Sequence, residues 1–274
     1  LLKSIQKIEK VFGVVHVNLG EPVFLDDLLK KHNAPEHVAL HEEMPASVKA
    51  TVNDVAIEIL ENINKAVVIN PISLISLVLL NAPTHALAER EVIQRLEQLR
   101  NLLKLHRYDE RMKMTELSNQ EIIQYAMKLK QVELIEHDNE RWVKVSDTQV
   151  GLLKYFSNNI LHTFILPALI AKVLKMQTEQ QVFVIAKADL LSQVIALYPE
   201  IQKAFFLKWD ESEVQTEIEQ LLQYFVTEKL IQINDQDHIQ ISDADPKVRL
   251  LSAFAHLYDV NVVVKDAEKE DKEK

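Results

Sequence analysis

One histidine and one aspartate stand at a spacing that can support general acid–base chemistry. His238 and Asp243 are five positions apart, and a carboxylate so placed can hold an imidazole in the tautomer that takes a proton from a hydroxyl group. Both residues fall on or just after an alternating segment that is typical of a hairpin strand. The matching positions of a second, similar hairpin hold Trp142 and Asp147. We therefore interpret the pair as a coincidence and predict no catalytic residue in this chain.

A histidine-rich segment offers the best candidate for metal binding. His37 and His41 have the i,i+4 spacing that places two imidazoles on one face of a helix, and Glu42 and Glu43 follow them. Prolines on both sides interrupt any helix here, and the His-Glu-x-x-His order is absent. We predict a solvated loop at this segment, and we predict neither a metal site nor a cofactor site anywhere in the chain.

His162 is the remaining candidate, and it lies in an apolar stretch. A lone histidine in such surroundings is more often a hydrogen-bonded core residue than a base. The chain has no cysteine, which excludes disulfides, cysteine zinc sites and a thiol nucleophile. It also has no Gly-x-Ser-x-Gly, phosphate-loop or dinucleotide fingerprint. The residues alone therefore indicate a protein without a visible active site.

The composition favours a helical protein with an acidic surface. The 274 residues include only three glycines, 47% are hydrophobic, and the formal net charge is −10. Abundant Leu, Ile, Glu, Gln and Lys favour helices, and scarce glycine disfavours barrels and turn-rich sandwiches. An acidic surface repels polyphosphates, so we expect no nucleic-acid partner.

Two stretches without charged residues raise the question of membrane contact. Residues 66–88 and 155–171 are apolar, but asparagines, prolines and histidines interrupt both. A membrane-spanning helix needs about 20 predominantly apolar residues, and neither stretch fits cleanly. We favour buried core helices over insertion into a bilayer surface.

The periodicity of apolar residues predicts one strand and several helices. Val14–Leu19 is typical of a buried strand that ends at the turn Gly20-Glu21-Pro22. Residues 26–46 read as a short helix followed by a loop. A longer helix is predicted over residues 52–67, because Val, Ala, Ile and Leu recur there at spacings of three and four. Further helices are predicted at 72–80, 87–105 and 121–130.

An internal repeat organises the second half of the chain. Leu134-Ile135 and Leu230-Ile231 are each followed by a polar turn and an alternating strand, at a constant offset of 96 residues. Each copy follows a helix that opens with capping-box spacing, at Ser118 and Asp210. The units lie near residues 118–147 and 210–243 and predict winged-helix-like helix–hairpin modules. The expected fold is mainly α with small β-hairpins.

Several motifs along the chain carry a family resemblance, beginning with Val17-Asn18-Leu19-Gly20-Glu21-Pro22. This motif is similar to the segment that closes the acyltransferase domain of bacterial membrane-associated glycerol-3-phosphate acyltransferases, and five further segments match in the family's order. The resemblance covers about residues 14–251 and is distinctive of the C-terminal region. The further segments are Thr51–Asn53, Ile63–Ala66, Tyr155–His162 with Leu166–Leu169, Leu197–Pro199 and Phe206–Asp210.

The resemblance implies a function for the parent enzyme. Such enzymes transfer an acyl group from acyl-CoA or acyl carrier protein to the 1-hydroxyl of glycerol 3-phosphate and make lysophosphatidate for phospholipid synthesis. They act at the membrane surface, peripherally on the cytoplasmic side of the cell inner membrane. Their His-x4-Asp and Pro-Glu-Gly blocks precede the Gly-Glu-Pro segment, so none maps onto this sequence. The resemblance thus implies that this chain is inactive by itself.

Three regions follow from this interpretation. Residues 1–46 are expected to be the end of the acyltransferase domain, with its last strand as a remnant, and Leu1 in place of Met suggests an excerpt. Residues 47–264 are expected to form the C-terminal helical domain, and residues 265–274 a disordered charged tail. The alternative function, which the repeat alone suggests, is a winged-helix adaptor or regulatory protein without catalytic activity.

Overall fold

A computed structural model describes residues 16–35, 37, 43–82, 84–241 and 256. It is mainly helical with small sheets, which confirms the predicted fold class. The helices are α1 (Leu25–Lys31), α2 (Ala46–Lys65), α3 (Pro71–Leu80), α4 (Glu89–Leu105), α5 (Asn119–Lys128), α6 (Val150–Leu161), α7 (Ile165–Glu179), α8 (Lys187–Phe205) and α9 (Glu211–Thr227). The strands are β1 (Val68–Ile69), β2 (Ala86–Ala88), β3 (Lys113–Met114), β4 (Val132–His137), β5 (Glu140–Val145), β6 (Val184–Ala186), β7 (Ile231–Ile233) and β8 (His238–Ile241).

Two units share one order of elements. In the first unit α3, β2, α4, α5, β4 and β5 follow one another, and in the second α7, β6, α8, α9, β7 and β8 do. Each unit forms an antiparallel three-stranded sheet in which the first strand pairs with the last, giving the orders β2-β5-β4 and β6-β8-β7. The predicted hairpins are present, β4 with β5 and β7 with β8. The duplication of elements therefore extends further upstream than the sequence match. The units differ in one connection, because a longer segment that contains β3 separates α4 from α5 in the first unit.

Local sequence signals explain where several helices begin. The Ser118 and Asp210 side chains each accept a hydrogen bond from the backbone N–H three residues on, and Glu121 and Glu213 complete both capping boxes. Pro71 occupies the first turn of α3, where a missing N–H costs nothing.

Each charge-free stretch contributes a buried helix to the core. Residues 72–79 of α3 are all buried, and so are residues 165–171 of α7. Among the described helices, none by itself has the length and apolar character needed to span a membrane. Residues 147–161 and α7 satisfy that test only as a pair, bent by 89°, on length and composition alone. The predicted burial is therefore confirmed for residues 72–79 of α3 and residues 165–171 of α7.

The predicted strand at the amino-terminal end is wrong for the residues that can be assessed. Val14 and Val15 lie outside the described residues. His16–Leu19 form no strand, and the Val17 and Leu19 side chains are 83% and 85% exposed. A strand requires a neighbouring strand for its backbone hydrogen bonds, and the described part of the chain supplies none there. The predicted charged tail also lies outside the described residues.

Helix α2 is present as predicted, but its apolar stripe does not face the core. The side chains of Val52, Ile59 and Ile63 lie on one face and are 54%, 44% and 61% exposed. Helix α1 covers part of α2 but contains no buried residue of its own. We call Val52, Ala56, Ile59 and Ile63 the α2 stripe.

Candidate functional site

The segment that carries Gly20-Glu21-Pro22 is held against the helical region by two side chains. The Asn18 Nδ2 atom donates to the carbonyl oxygens of Ala66, at 2.9 Å, and Arg111, at 3.2 Å. A Glu21 carboxylate oxygen lies 3.1 Å from the Arg111 Nη1 atom. These partners lie 48 to 93 residues away along the chain, so the anchor is a tertiary contact.

A cavity of about 600 Å³ lies beside this anchor. The amino-terminal segment forms one wall, the end of α2 and β1 form the second, and the end of α6 forms the third. We call it the asparagine cavity, because six of its lining residues are asparagines. They are Asn18, Asn62, Asn64, Asn70, Asn158 and Asn159, and the other lining residues are His16, Gly20, Glu21, Val23, Ile59, Ile63, Ala66, Val67 and Val68.

Some of these asparagine side chains form hydrogen bonds within the protein and others do not. The Asn64 Nδ2 atom donates to the carbonyl oxygens of Phe205 and Phe206 at 2.8 and 2.9 Å. The Asn70 Oδ1 atom accepts from the Ser73 N–H and caps α3. Asn62 is only 7% exposed, yet its side chain makes no hydrogen bond in the described part of the chain. The cavity therefore has unused donors and acceptors.

His162 is buried and contacts Asn64, one of the residues that line the cavity. Its Nε2 atom is 3.1 Å from the Asn64 carbonyl oxygen, which accepts only, so Nε2 carries the proton and donates. Burial lowers the pKa of His162 to about 4, against the opposing effect of that hydrogen bond. The imidazole is thus neutral at pH 7 and serves as a structural donor. The predicted role as a core histidine is confirmed.

Aromatic residues extend this network to α8 and α9. The centroid of the Tyr108 ring lies 4.9 Å from that of His162 and 5.0 Å from that of Trp209, and both ring pairs are edge to face. The Trp209 carbonyl oxygen accepts from the Tyr198 hydroxyl at 2.7 Å, and the Tyr108 oxygen accepts from the Lys208 N–H at 3.2 Å. Together with the bonds of Asn64 to Phe205 and Phe206, these contacts connect one wall of the cavity to segments more than 140 positions later in the sequence.

The two sequence candidates for chemistry do not form a site in the described residues. His238 lies on β8, where its Nδ1 atom is 3.0 Å from the Gln236 carbonyl oxygen. Asp243, which the sequence analysis interpreted as a coincidental match, lies outside the described residues. His37 is exposed, and His41 also lies outside them. Where side chains are described, no three His, Asp or Glu residues are grouped closely enough to hold a metal ion.

Sequence reasoning missed the residues that join the two units. The His106 Nε2 atom, just after α4, lies 2.5 Å from a Glu217 carboxylate oxygen of α9, and both side chains are largely buried. Tyr108 and Arg111 were not predicted as central either. No local signal identifies them, because their partners lie far away in sequence.

Comparisons with known proteins identify the family. Residues 1–258 match the model of the glycerol-3-phosphate acyltransferase C-terminal region. A glycerol-3-phosphate acyltransferase of Xanthomonas campestris pv. campestris is 34% identical over 242 residues, which are 86% of this chain and 27% of that protein. One of Xylella fastidiosa strain M12 is 33% identical, over 82% of this chain and 26% of its own length. One of Haemophilus influenzae strain PittEE is 29% identical, over 93% and 31%.

These relatives share a name and a region. The chain spans less than a third of the length of each of these three. The family match covers most of the chain, including every residue of the asparagine cavity and its anchor. The chain therefore belongs to the glycerol-3-phosphate acyltransferase C-terminal region family.

Proposed function

We propose that this chain is the C-terminal region of an enzyme that acylates the 1-hydroxyl of glycerol 3-phosphate and makes lysophosphatidate for phospholipid synthesis. The acyl donor is acyl-CoA or acyl carrier protein. The proposal is supported by the family match over residues 1–258 and by relatives named glycerol-3-phosphate acyltransferase. The chemical step belongs to the acyltransferase portion, and the present chain is inactive without it.

The role of this region is to dock that acyltransferase portion. The observation that carries the proposal is the α2 stripe, an amphipathic helix face with an unusually exposed apolar side. The stripe lies beside the anchored segment whose motif resembles the end of the acyltransferase domain. An interface there would remove Val52, Ile59 and Ile63 from water together with Val17 and Leu19.

Charge gives no support to lipid binding at this face. Helices α1 and α2 together contain five acidic and four basic residues. Anionic lipid surfaces attract clusters of Lys and Arg, and this helical pair has no excess of them. The membrane location of the enzyme, peripheral on the cytoplasmic side of the inner membrane, is proposed from the family resemblance.

A chimera tests the docking role. This chain would replace the matching region of the Xanthomonas campestris relative, and transfer of radiolabelled acyl groups to glycerol 3-phosphate would be measured. We expect activity from the chimera and none from the isolated chain. Replacing Ile59 and Ile63 by Asp should lower the chimera's activity about tenfold or more, because buried charges weaken the interface.

Ile57→Asp is the matched control, since Ile57 is 45% exposed on another face of α2. It should leave activity unchanged. Equal activity of the Ile59→Asp/Ile63→Asp chimera would exclude the α2 stripe as the docking face. Turnover by the isolated chain that disappears in His238→Ala would contradict its proposed inactivity.

The second candidate function is that of a winged-helix adaptor, and the strand pairing in both units favours it. Both units place a strand between the first two helices and pair it with the last strand, as winged-helix modules do. DNA binding requires Lys and Arg on the helix before the hairpin. Acids, amides and apolar residues dominate α5 and α9. We expect no binding to duplex DNA, and tight binding with a steep salt dependence would support this alternative.

A further inference from the structure

One connection is much longer in the first unit than in the second. Residues 106–118 join α4 to α5, whereas residues 206–210 join the corresponding helices α8 and α9. The longer connection contains β3, which pairs in parallel with β1 just after the end of α2. We call residues 106–118 the α4–α5 connection. The second unit forms the same three-stranded sheet with a much shorter connection, so the contacts of this segment show what it adds.

The α4–α5 connection reaches the second unit through charged and aromatic side chains. Its first residue, His106, lies 2.5 Å from a Glu217 carboxylate oxygen of α9. The Asp109 Oδ2 atom lies 3.6 Å from the Lys208 Nζ atom, and that ammonium group lies over the Tyr108 ring at 5.2 Å from its centroid. The connection is therefore held in place by the far unit as well as by its own.

Arg111 in this connection holds residues 17–22, the anchored segment, through both its backbone and its side chain. Its carbonyl oxygen accepts from the Asn18 Nδ2 atom at 3.2 Å, and its Nη1 atom lies 3.1 Å from a Glu21 carboxylate oxygen. That Nη1 atom is shielded from water and makes no hydrogen bond among the described residues, so Glu21 is the group that balances its charge.

Asp109 fixes the direction of the Arg111 side chain. The Arg111 Nε atom donates to Asp109 Oδ1 at 3.0 Å, and the Arg111 backbone N–H donates to the same oxygen at 3.1 Å. Burial alone would raise the pKa of Asp109, but these hydrogen bonds hold that pKa below its ordinary value, so the carboxylate is charged at pH 7. The guanidinium group is thus aimed at Glu21 before the anchored segment reaches it.

The anchored segment turns its other side to solvent. Asn18 is bonded inward, while the side chains of Val17 and Leu19 on either side of it are 83% and 85% exposed. Under the proposed function, the acyltransferase portion ends in this segment. The contacts at Asn18 and Arg111 therefore set the direction in which that portion leaves the helical region.

We propose that Arg111 is a positioning residue for acyl transfer, which holds the acyltransferase portion in the orientation that meets the α2 stripe. This role rests on the proposed function. A defined entry direction raises the effective concentration of the portion at its docking face, because docking is an intramolecular event. Without Arg111 the portion stays attached but is docked in a smaller fraction of molecules. The loss should lower kcat and leave the KM values unchanged, since the docked molecules are unaltered.

Kinetics of the chimera test the role of Arg111. Arg111→Gln and Glu21→Gln should each lower kcat about twofold to fivefold, as expected for a partly exposed ion pair, with unchanged KM for glycerol 3-phosphate and acyl-CoA. The double variant should lose no more than Arg111→Gln alone, because both changes remove the same pair. Arg111→Lys keeps the charge but not the planar fork, and it should recover part of the loss. Lys113→Gln, which removes an exposed cation of the same connection, should leave kcat unchanged.

A spin label measures the anchor independently of activity. The chain has no cysteine, so a nitroxide on Leu19→Cys is the only label, and its position is exposed. Electron paramagnetic resonance of the full chain should show a more mobile label after Arg111→Gln and after Asn18→Ala. Lys113→Gln should not change the spectrum.

Several results would overturn this role. They are an unchanged kcat in Arg111→Gln, a change in KM instead of kcat, additive losses from the Glu21 and Arg111 variants, or a label on Leu19→Cys that is equally immobile without Arg111. An inactive chimera would remove the proposed function and this role together. An active chimera with unaltered kinetics in Arg111→Gln would remove this role alone, because the variants of the α2 stripe test the docking face separately.

Discussion

At the scale of single residues, His162 is a buried, neutral hydrogen-bond donor to Asn64, a lining residue of the cavity. It joins the end of α2 to the turn between α6 and α7 through the Asn64 carbonyl oxygen and packs against Tyr108. Its identity as a core histidine was predictable from its apolar neighbours. Its partner was not, because Asn64 lies 98 residues earlier in the chain.

Removal of this imidazole should destabilise the fold. His162→Ala leaves a cavity and an unpaired buried carbonyl, so we expect the free energy of unfolding to fall by about 2–4 kcal/mol. Urea denaturation followed by circular dichroism measures it. His137→Ala, at an exposed hairpin position, should change stability by less than about 0.5 kcal/mol. Equal effects of the two variants would contradict the structural role of His162.

The lowered pKa of His162 also predicts a pH dependence. The folded pKa is about 4 and the ordinary value is 6.5, so between these values the unfolded chain binds the extra proton. The stabilising contribution is therefore complete above about pH 6.5 and is lost as pH falls towards 4, with a size on the order of 3 kcal/mol. His162→Gln, which keeps a donor but does not titrate, should show a flatter stability profile in that window. Parallel profiles would refute the assignment.

At the scale of elements, the sequence predicted helices and hairpins well and their partners poorly. Capping boxes and the repeat at an offset of 96 residues depend on local residue types, so the starts of α5 and α9 and both hairpins were readable. The α2 stripe shows the limit. Periodicity reveals which face of a helix is apolar, but it does not reveal what covers that face.

The capping boxes give a test at this scale. The Asp210 side chain accepts from the N–H groups of Ser212 and Glu213 at 2.8 and 3.0 Å. Asp210→Ala should lower the free energy of unfolding by about 1 kcal/mol, measured by thermal denaturation. Glu211→Ala removes an acidic residue of the same first turn that caps nothing, and it should have a smaller effect. A larger loss from Glu211→Ala would contradict the assigned cap.

At the scale of the whole molecule, two similar units are joined by buried polar contacts. His106 of the first unit and Glu217 of the second meet at 2.5 Å, and the Tyr224 hydroxyl donates to the Gln98 carbonyl oxygen at 3.4 Å. The sequence predicted the duplication but not how its copies pack, because His106 and Gln98 lie upstream of the repeated pattern.

A double-mutant cycle measures this junction. Glu217→Leu leaves the His106 imidazole largely buried without its partner, and we expect a loss of about 1–3 kcal/mol in the free energy of unfolding. His106→Leu combined with Glu217→Leu should recover most of that loss, because two apolar groups then face each other. Additive losses in the double variant would show that the two side chains are not coupled.

The long-range contacts of Asn18 and Asn64 also set an order of events during synthesis. Asn18 requires the backbone of Arg111, and Asn64 requires the carbonyl oxygens of Phe205 and Phe206, which lie 141 and 142 residues downstream. A ribosome delivers these partners after Asn18 and Asn64 themselves. The junction at Asn18 can therefore close only after Arg111 has been translated, and the contact of Asn64 only after Phe206 has.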